Sequence, residues 1–244
     1  MKIVVSKLFS LFLTLSALLL STVVYCEPIA QPQPITRADP QQMLEQATDQ
    51  LLDMARAARS YAEEDPERYY AEVSLVLDQV MDIQYFARGV MATYASSRRY
   101  KALQTDAERA AFRDRLARFE TALKRVWMVK YADALLSFKG EGFELKKLAT
   151  GDNSEDKMSI EQTVRDEDGK SYVFQYNLHQ LKDGSWKIIN VVVEGVNLGL
   201  TYRSQFAEAV ESHQGDISYV VDHWVDIMIR DKSAAITGDG VGPA

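Results

Sequence analysis

Two runs rich in β-formers, SYVFQYNLHQL (171–181) and WKIINVVVE (186–194), stand on either side of Asp183-Gly184. Asp-Gly between apolar runs favours a tight antiparallel hairpin, because glycine takes the left-handed backbone such a turn requires. Reading Asp183-Gly184 as a two-residue loop between Lys182 and Ser185 sets the register. Leu178 then faces Ile189, Tyr176 faces Val191 and Phe174 faces Val193, all on one side of the ribbon. The other side pairs His179 with Ile188, Asn177 with Asn190, Gln175 with Val192 and Val173 with Glu194. A slip by one residue mixes the two sets, so turn and pattern agree on one dry, aromatic face and one mixed face. A dry face must be covered by something.

The rest of the chain offers helices for that purpose. After Asp39-Pro40, Leu44, Ala47, Leu51, Met54, Ala55, Ala58 and Ala62 follow helical spacing. Asp65-Pro66 is a second helix start, an N-cap followed by proline at the first helical position. Its apolar face is Tyr69, Val73, Val76, Leu77, Val80 and Met81. Asp82 caps a third helix, IQYFARGVMATYA (83–95). Thr105 and Glu108 form a capping-box pair. They open a stripe from Phe112 to Phe138 whose length predicts a bend or break within the helix. Between 142 and 196 the period falls to two. FELKKLA (143–149) and KMSIEQTV (157–164) read as strands, followed by the hairpin. Helical spacing then returns in YRSQFAEAVESH (202–213) and in a stripe capped by Asp216 that runs from Ile217 to Met228. The predicted class is α+β: a curved antiparallel sheet of about four strands, covered by a bundle of helices.

The ends of the chain are of a different kind. Lys2 and Lys7 precede or enter the apolar run LFSLFLTLSALLLSTVVY (8–25), the pattern of a secretory signal peptide. Cys26 follows the bulky Tyr25 where a lipobox carries a small residue, so the expectation is a cleaved, non-lipidated export signal over 1–26. Residues 27–38 read as a linker, 39–232 as the folded domain and 233–244 as a disordered tail. Without 1–26 no cysteine remains, which excludes disulfides, thiol nucleophiles and thiolate metal sites. A net charge of −7 argues against a general nucleic-acid binder, which needs surplus Lys and Arg. The chain is read as a monomer.

No catalytic constellation is legible. The three histidines, His179, His213 and His223, have no zinc-like spacing, and no metal site is expected. There is no G-x-S-x-G, P-loop or G-x-G-x-x-G sequence. Glu194 ends an apolar strand before Gly195. A carboxylate beside an apolar pocket can serve as an acid or base, but a sheet-edge cap or a pair with Arg203 is the simpler reading. Aromatic and methionine residues are abundant instead. A concave aromatic face roofed by helices can enclose an apolar cavity, and without catalytic groups it points to carrying a greasy ligand.

The stretch GSWKIINVVVEGVNLGLTYRSQF (184–206) resembles the C-terminal signature of the MlaC, or toluene-tolerance, family. Glu194, Gly195, Val196 and Leu198 fit its turn, with Asn197 where serine is usual. Tyr202, Arg203, Ser204, Gln205 and Phe206 fit the helix that follows. MDIQYFARGVM (81–91) is similar to a second family segment. AERAAFRDRL (107–116), VWMVKYADAL (126–135) and GDISYVVDHW (215–224) match more loosely, while ASSRRYKALQ (95–104) departs from the family pattern. The resemblance spans about residues 40–230. It implies a periplasmic shuttle of Gram-negative bacteria that maintains outer-membrane lipid asymmetry. Such a shuttle carries phospholipid between an inner-membrane ABC transporter complex with an MCE-domain ring and an outer-membrane lipoprotein–porin complex. The acyl chains would lie in a lipid cavity between sheet and helices, with no cofactor. On that reading Phe174, Tyr176, Val191 and Val193 line the cavity floor, with Tyr85, Phe86, Phe119, Trp127 and Tyr131 as walls or roof. Two rivals stand beside it: a small exported α+β enzyme using Glu194 or His179, and a membrane-tethered adaptor without ligand.

Overall fold

The computed structural model describes residues 29, 31–148 and 155–229. Among the described residues, helices and an open, five-stranded antiparallel sheet follow one another as α1 (Pro40–Ala58), α2 (Pro66–Val80), α3 (Ile83–Met91), α4 (Ser97–Lys101), α5 (Asp106–Ser137), β1 (Gly140–Leu148), β2 (Lys157–Asp166), β3 (Ser171–Gln180), β4 (Trp186–Val193), β5 (Val196–Asn197), α6 (Leu198–Ser212) and α7 (Ile217–Asp222), and residues 224–229 are helical again. The strands are ordered as in the chain. The architecture is α+β, with a fifth strand of two residues beside the four expected. The export signal and the C-terminal tail lie outside the described residues.

Helix starts follow local capping chemistry. The carboxylates of Asp39, Asp65, Asp82 and Asp216 accept the backbone N–H three residues on, at 2.8–3.1 Å. Thr105 and Glu108 complete the reciprocal capping box. Of the bend or break expected in helix α5, no break is present: its 32 residues are one continuous helix, about 48 Å of helical rise. It contains neither Gly nor Pro, and its stripe is met by different partners in turn. Phe119 packs on Phe206 and Trp224, Trp127 on Phe86, and the Ala132 carbonyl accepts from the Tyr69 hydroxyl at 3.1 Å. Helix α3 stops at Met91 because Ala92 takes φ +47°. A 3₁₀ turn, Ala92–Ala95, then leads to α4. Helix α6 begins four residues before the expected start, because the Asn197 side chain caps Leu200 N at 3.1 Å.

The central hairpin differs from its expected form in two compensating ways. Leu181 N donates to Ser185 O (2.7 Å) and Gly184 N to Leu181 O (2.9 Å), so the loop has three residues, 182–184, with Gly184 at φ +81°. Asp183 favours it by accepting from Ser185 N and Oγ. Leu178 therefore faces Ile188, not Ile189, and His179 faces Lys187, not Ile188. A bulge between Asn177 and Leu178 then restores the expected pairs Asn177–Asn190, Tyr176–Val191, Gln175–Val192 and Phe174–Val193. Because a bulge sets two residues against one, it turns Trp186 and Ile188 onto the dry face, where both are buried.

Helices α1, α2, α3 and α6 all reach the sheet at β4, and β1 is a free edge. Residues 31–37, expected as linker, have no helix or strand but are tied to the domain. Ile35 N donates to Gln79 Oε1 (2.9 Å), Trp186 N donates to Arg37 O (2.8 Å), and Ile35 joins the core.

Candidate functional site

The pairings place the inner face of the sheet in rows. Leu145, Gln162, Phe174 and Val193 form one row; Ile160, Tyr176 and Val191 form the next; Met158, Leu178 and Ile188 form a third. Coverage falls across them. Ile160, Leu178 and Ile188 are buried, whereas Tyr176, Val191, Phe174 and Val193 are only half-buried. Val196, paired with Val193, is 53% exposed. Tyr176 and Val191 border the core, while Phe174 and Val193 lie beyond it. The four residues expected as a floor thus make one contiguous apolar patch that the chain covers incompletely. The Phe174 and Tyr176 rings lie nearly parallel, 6.4 Å apart.

One polar side chain is set into this face. Gln162 is buried; its Oε1 accepts from the Tyr176 hydroxyl and its Nε2 donates to Thr48 Oγ1, each at 2.8 Å. Thr48 Oγ1 in turn donates to Leu44 O at 2.8 Å. A buried amide needs its partners, so this relay holds α1 at a set position over β2 and β3. Burial raises the Tyr176 phenol well above its ordinary pKa, which keeps it a neutral donor.

The residues expected as walls divide into three groups. Phe86 and Trp127 are buried edge to face at 5.0 Å, and Phe86 also meets Tyr202 at 6.5 Å. Tyr131, 44% exposed, shares a hydrogen bond with the Tyr202 hydroxyl at 3.2 Å. Burial first, and Tyr131 second, raise the pKa of Tyr202. Among the described residues the ring partners of Phe119 are Phe206 and Trp224, both in helices, so it belongs to the helical core. Tyr85 stands apart: 49% exposed, it packs against His179 at 5.1 Å. His179 alternates with Leu178 and points to the opposite face, so Tyr85 is not a wall of the dry side.

The candidate acid–base residues are not brought together. Glu194 (φ +49°) and Gly195 (φ +79°) form a two-residue turn joining Val193 to Val196. Two left-handed residues are the signature of a type I′ hairpin, which explains the Gly. The Glu194 carboxylate accepts the backbone N–H of Val173, and its own N–H donates to Val173 O at 2.9 Å. His179 is six residues further along β3, about 20 Å away. Its Nε2 meets Asp82 Oδ2 at 2.9 Å, fixing the start of α3 to the sheet. His213 and His223 each engage a backbone carbonyl through Nδ1 and stack on Tyr219. Among the described residues no three His, Cys, Asp or Glu side chains group as a metal site, and no helix is long and apolar enough to cross a membrane.

The model of the MlaC protein family matches residues 45–226, most of the chain and all of the sheet. The chain belongs to the MlaC family. It is 26% identical over 196 residues to the toluene tolerance protein Ttg2D of Pseudomonas putida, covering 80% of this chain and 84% of that protein. Its fold is similar to that of a phospholipid-binding protein from Ralstonia solanacearum, solved in complex with a phospholipid. That likeness has a TM-score of 0.62 at 16% identity, over 79% of this chain and 98% of that one.

In this MlaC-family chain the motif from Glu194 to Phe206 is a joint between sheet and helix. Asn190 Oδ1 accepts from Gly199 N (3.0 Å), and its Nδ2 donates to Asn197 Oδ1 (3.0 Å), locking the start of α6 to β4. A Cβ at Gly199 would meet Asn190 Oδ1 at 2.7 Å, so any larger residue there must displace the Asn190 amide. Arg203, weighed as an ion-pair partner for Glu194, instead donates from Nε to Gly89 O at 2.9 Å. Sequence reasoning gave no role to Gln162 or Asn190. The available signal was a polar residue at an apolar phase of a strand for Gln162, and an Asn opposite an Asn for Asn190.

Proposed function

We propose that this chain binds a phospholipid against the half-covered patch of Phe174, Tyr176, Val191 and Val193. It carries that lipid through the periplasm between an inner-membrane ABC transporter complex with an MCE-domain ring and an outer-membrane lipoprotein–porin complex. The observation that carries the reading is the patch itself: an aromatic and aliphatic surface on the inner face of a sheet, left half-open by the chain's own helices. Family membership and a phospholipid-bound structural relative support the choice of ligand. Acyl chains in a lipid cavity between sheet and helices, beside Trp127, Phe86 and Tyr131, would complete the coverage.

The energetics suit a carrier. Two acyl chains present roughly 30 methylenes at about 0.8 kcal/mol each, but a bilayer supplies nearly the same burial. Net transfer therefore depends on how well the protein surface matches the chains, and handover needs no bond to break. The enzyme reading is weaker because Glu194 is occupied by a backbone N–H in a turn and His179 by Asp82. The protein acts as a monomer with no cofactor, exported by a cleaved signal.

Organic extraction and mass spectrometry of the purified protein test this directly. Phospholipid near one mole per mole is expected. A folded chain that purifies empty and takes up no phospholipid from vesicles would sink it. Replacing Glu194 and His179 together should leave uptake and delivery intact; loss of delivery with lipid still bound would favour the enzyme.

A further inference from the structure

In a chain of net charge −7, six cations collect on one corner. Arg88 lies on α3, Arg98, Arg99 and Lys101 on α4, Arg113 on α5 and Arg203 on α6, and all six are exposed. None forms a salt bridge among the described residues, whereas neighbouring Arg109 and Arg118 pair with Asp106, Asp114 and Asp222. Contacts tie the cluster together. Arg88 Nη2 donates to Ser97 Oγ at 3.4 Å, Arg113 Nη1 to Tyr100 Oη at 2.8 Å, and Arg203 Nε to Gly89 O at 2.9 Å.

Leaving like charges together unneutralised is unfavourable for the free protein. Three of the guanidinium groups are anchored through one nitrogen, which leaves the other nitrogens of each fork for a partner. Held forks suit carboxylates at fixed positions better than mobile headgroups. Tyr85 and Leu200, one helical turn from Arg88 and Arg203, are also exposed. Tyrosine and arginine at one surface are the usual anchors of protein interfaces.

We infer that this corner, from α3 across α4 to α6, is a docking surface for an acidic protein partner. It is separate from the apolar patch on the sheet, and rests on the carrier reading only for the choice of probe. The surface raises the rate of encounter through charge and fixes orientation through the anchored arginines.

The test compares two double reversals of equal charge change in the full mature chain: Arg98→Glu with Arg99→Glu, and Lys146→Glu on β1 with Lys182→Glu in the hairpin loop. Binding to the purified MCE-domain ring is read by interferometry at 50 and 200 mM salt, and binding to vesicles with 30 mol% phosphatidylglycerol by flotation. Bound phospholipid and thermal midpoint are read on the same samples. The α4 reversal should weaken ring binding at least tenfold at 50 mM salt and flatten its salt dependence, with the Lys146 and Lys182 reversal and lipid content unchanged. Equal weakening by both reversals would mean that net charge alone acts, and overturns the inference. So does vesicle binding lost only in the α4 variant, which would make the surface a membrane contact. A wild-type chain that holds lipid but ignores the ring also overturns it, while leaving the carrier reading standing.

Discussion

Val191 and Ile188 lie on the same strand and the same face, separated by the bulge, yet they differ in what covers them. Tryptophan at each separates a ligand floor from a loosely packed core. Ile188 is buried against Leu178 and Met81. Overpacking there costs about 1–3 kcal/mol with or without lipid. Val191 is half-buried beside Tyr176, and an indole can extend into the uncovered space, so Val191→Trp should cost under about 1 kcal/mol in the lipid-free protein. In that space it displaces roughly four methylenes of acyl chain, about 3 kcal/mol, or on the order of a hundredfold in lipid affinity. Urea denaturation of delipidated protein gives the first quantity, and phospholipid retained after incubation with vesicles gives the second. The expected result is a stable, empty Val191→Trp and a destabilised, still loaded Ile188→Trp. A Val191→Trp protein that loses as much stability as Ile188→Trp and keeps its lipid would refute the reasoning.

Other residues give independent checks. Glu194→Val places a β-branched residue at φ +49° and removes the acceptor of Val173 N, so urea unfolding should show a loss of about 1–2 kcal/mol; Glu194→Asn, which tolerates that backbone, should lose less than half as much. Gly199→Ala drives a Cβ into Asn190 Oδ1 at 2.7 Å and should cost about 1–2 kcal/mol. In an Asn190→Ala background it should cost clearly less, because the two share one contact. Burial raises the Glu120 carboxyl above the ordinary carboxylate range. The unfolded chain then releases that proton first, so stability is lost as pH rises through the unfolded value. Glu120→Gln should accordingly raise the urea midpoint at pH 7 and leave it nearly unchanged at pH 4.

Local chemistry was legible residue by residue. Five helix starts were readable because a cap needs only a side chain and an N–H three residues apart. Tyr176–Val191 and Phe174–Val193 were readable because the alternation of β3 and β4 admits one register. The loop was misread because Asp-Gly supports both a two- and a three-residue turn; the bulge at Ile189 cancels the difference further along. The start of α6 was missed because LGL reads poorly as helix, and Asn190 and Asn197 supply what propensity lacks. The uninterrupted α5 was missed because length alone says nothing of partners along the way.

Chain-local information therefore determined the α+β class, the caps, the aromatic face and the family motif, since each rests on residues within a few positions of one another. Tertiary structure alone decided which half of that face is dry and which stays half-open. That outcome depends on contacts remote in sequence, such as Thr48 with Gln162, Asp82 with His179 and Met81 with Ile188. It also separated Tyr85 from the other expected walls and gathered the cations of α3, α4, α5 and α6 at one corner. A pattern of apolar and charged residues records which face a side chain takes, while coverage and charge neighbourhood follow from how far apart the packed helices come to rest.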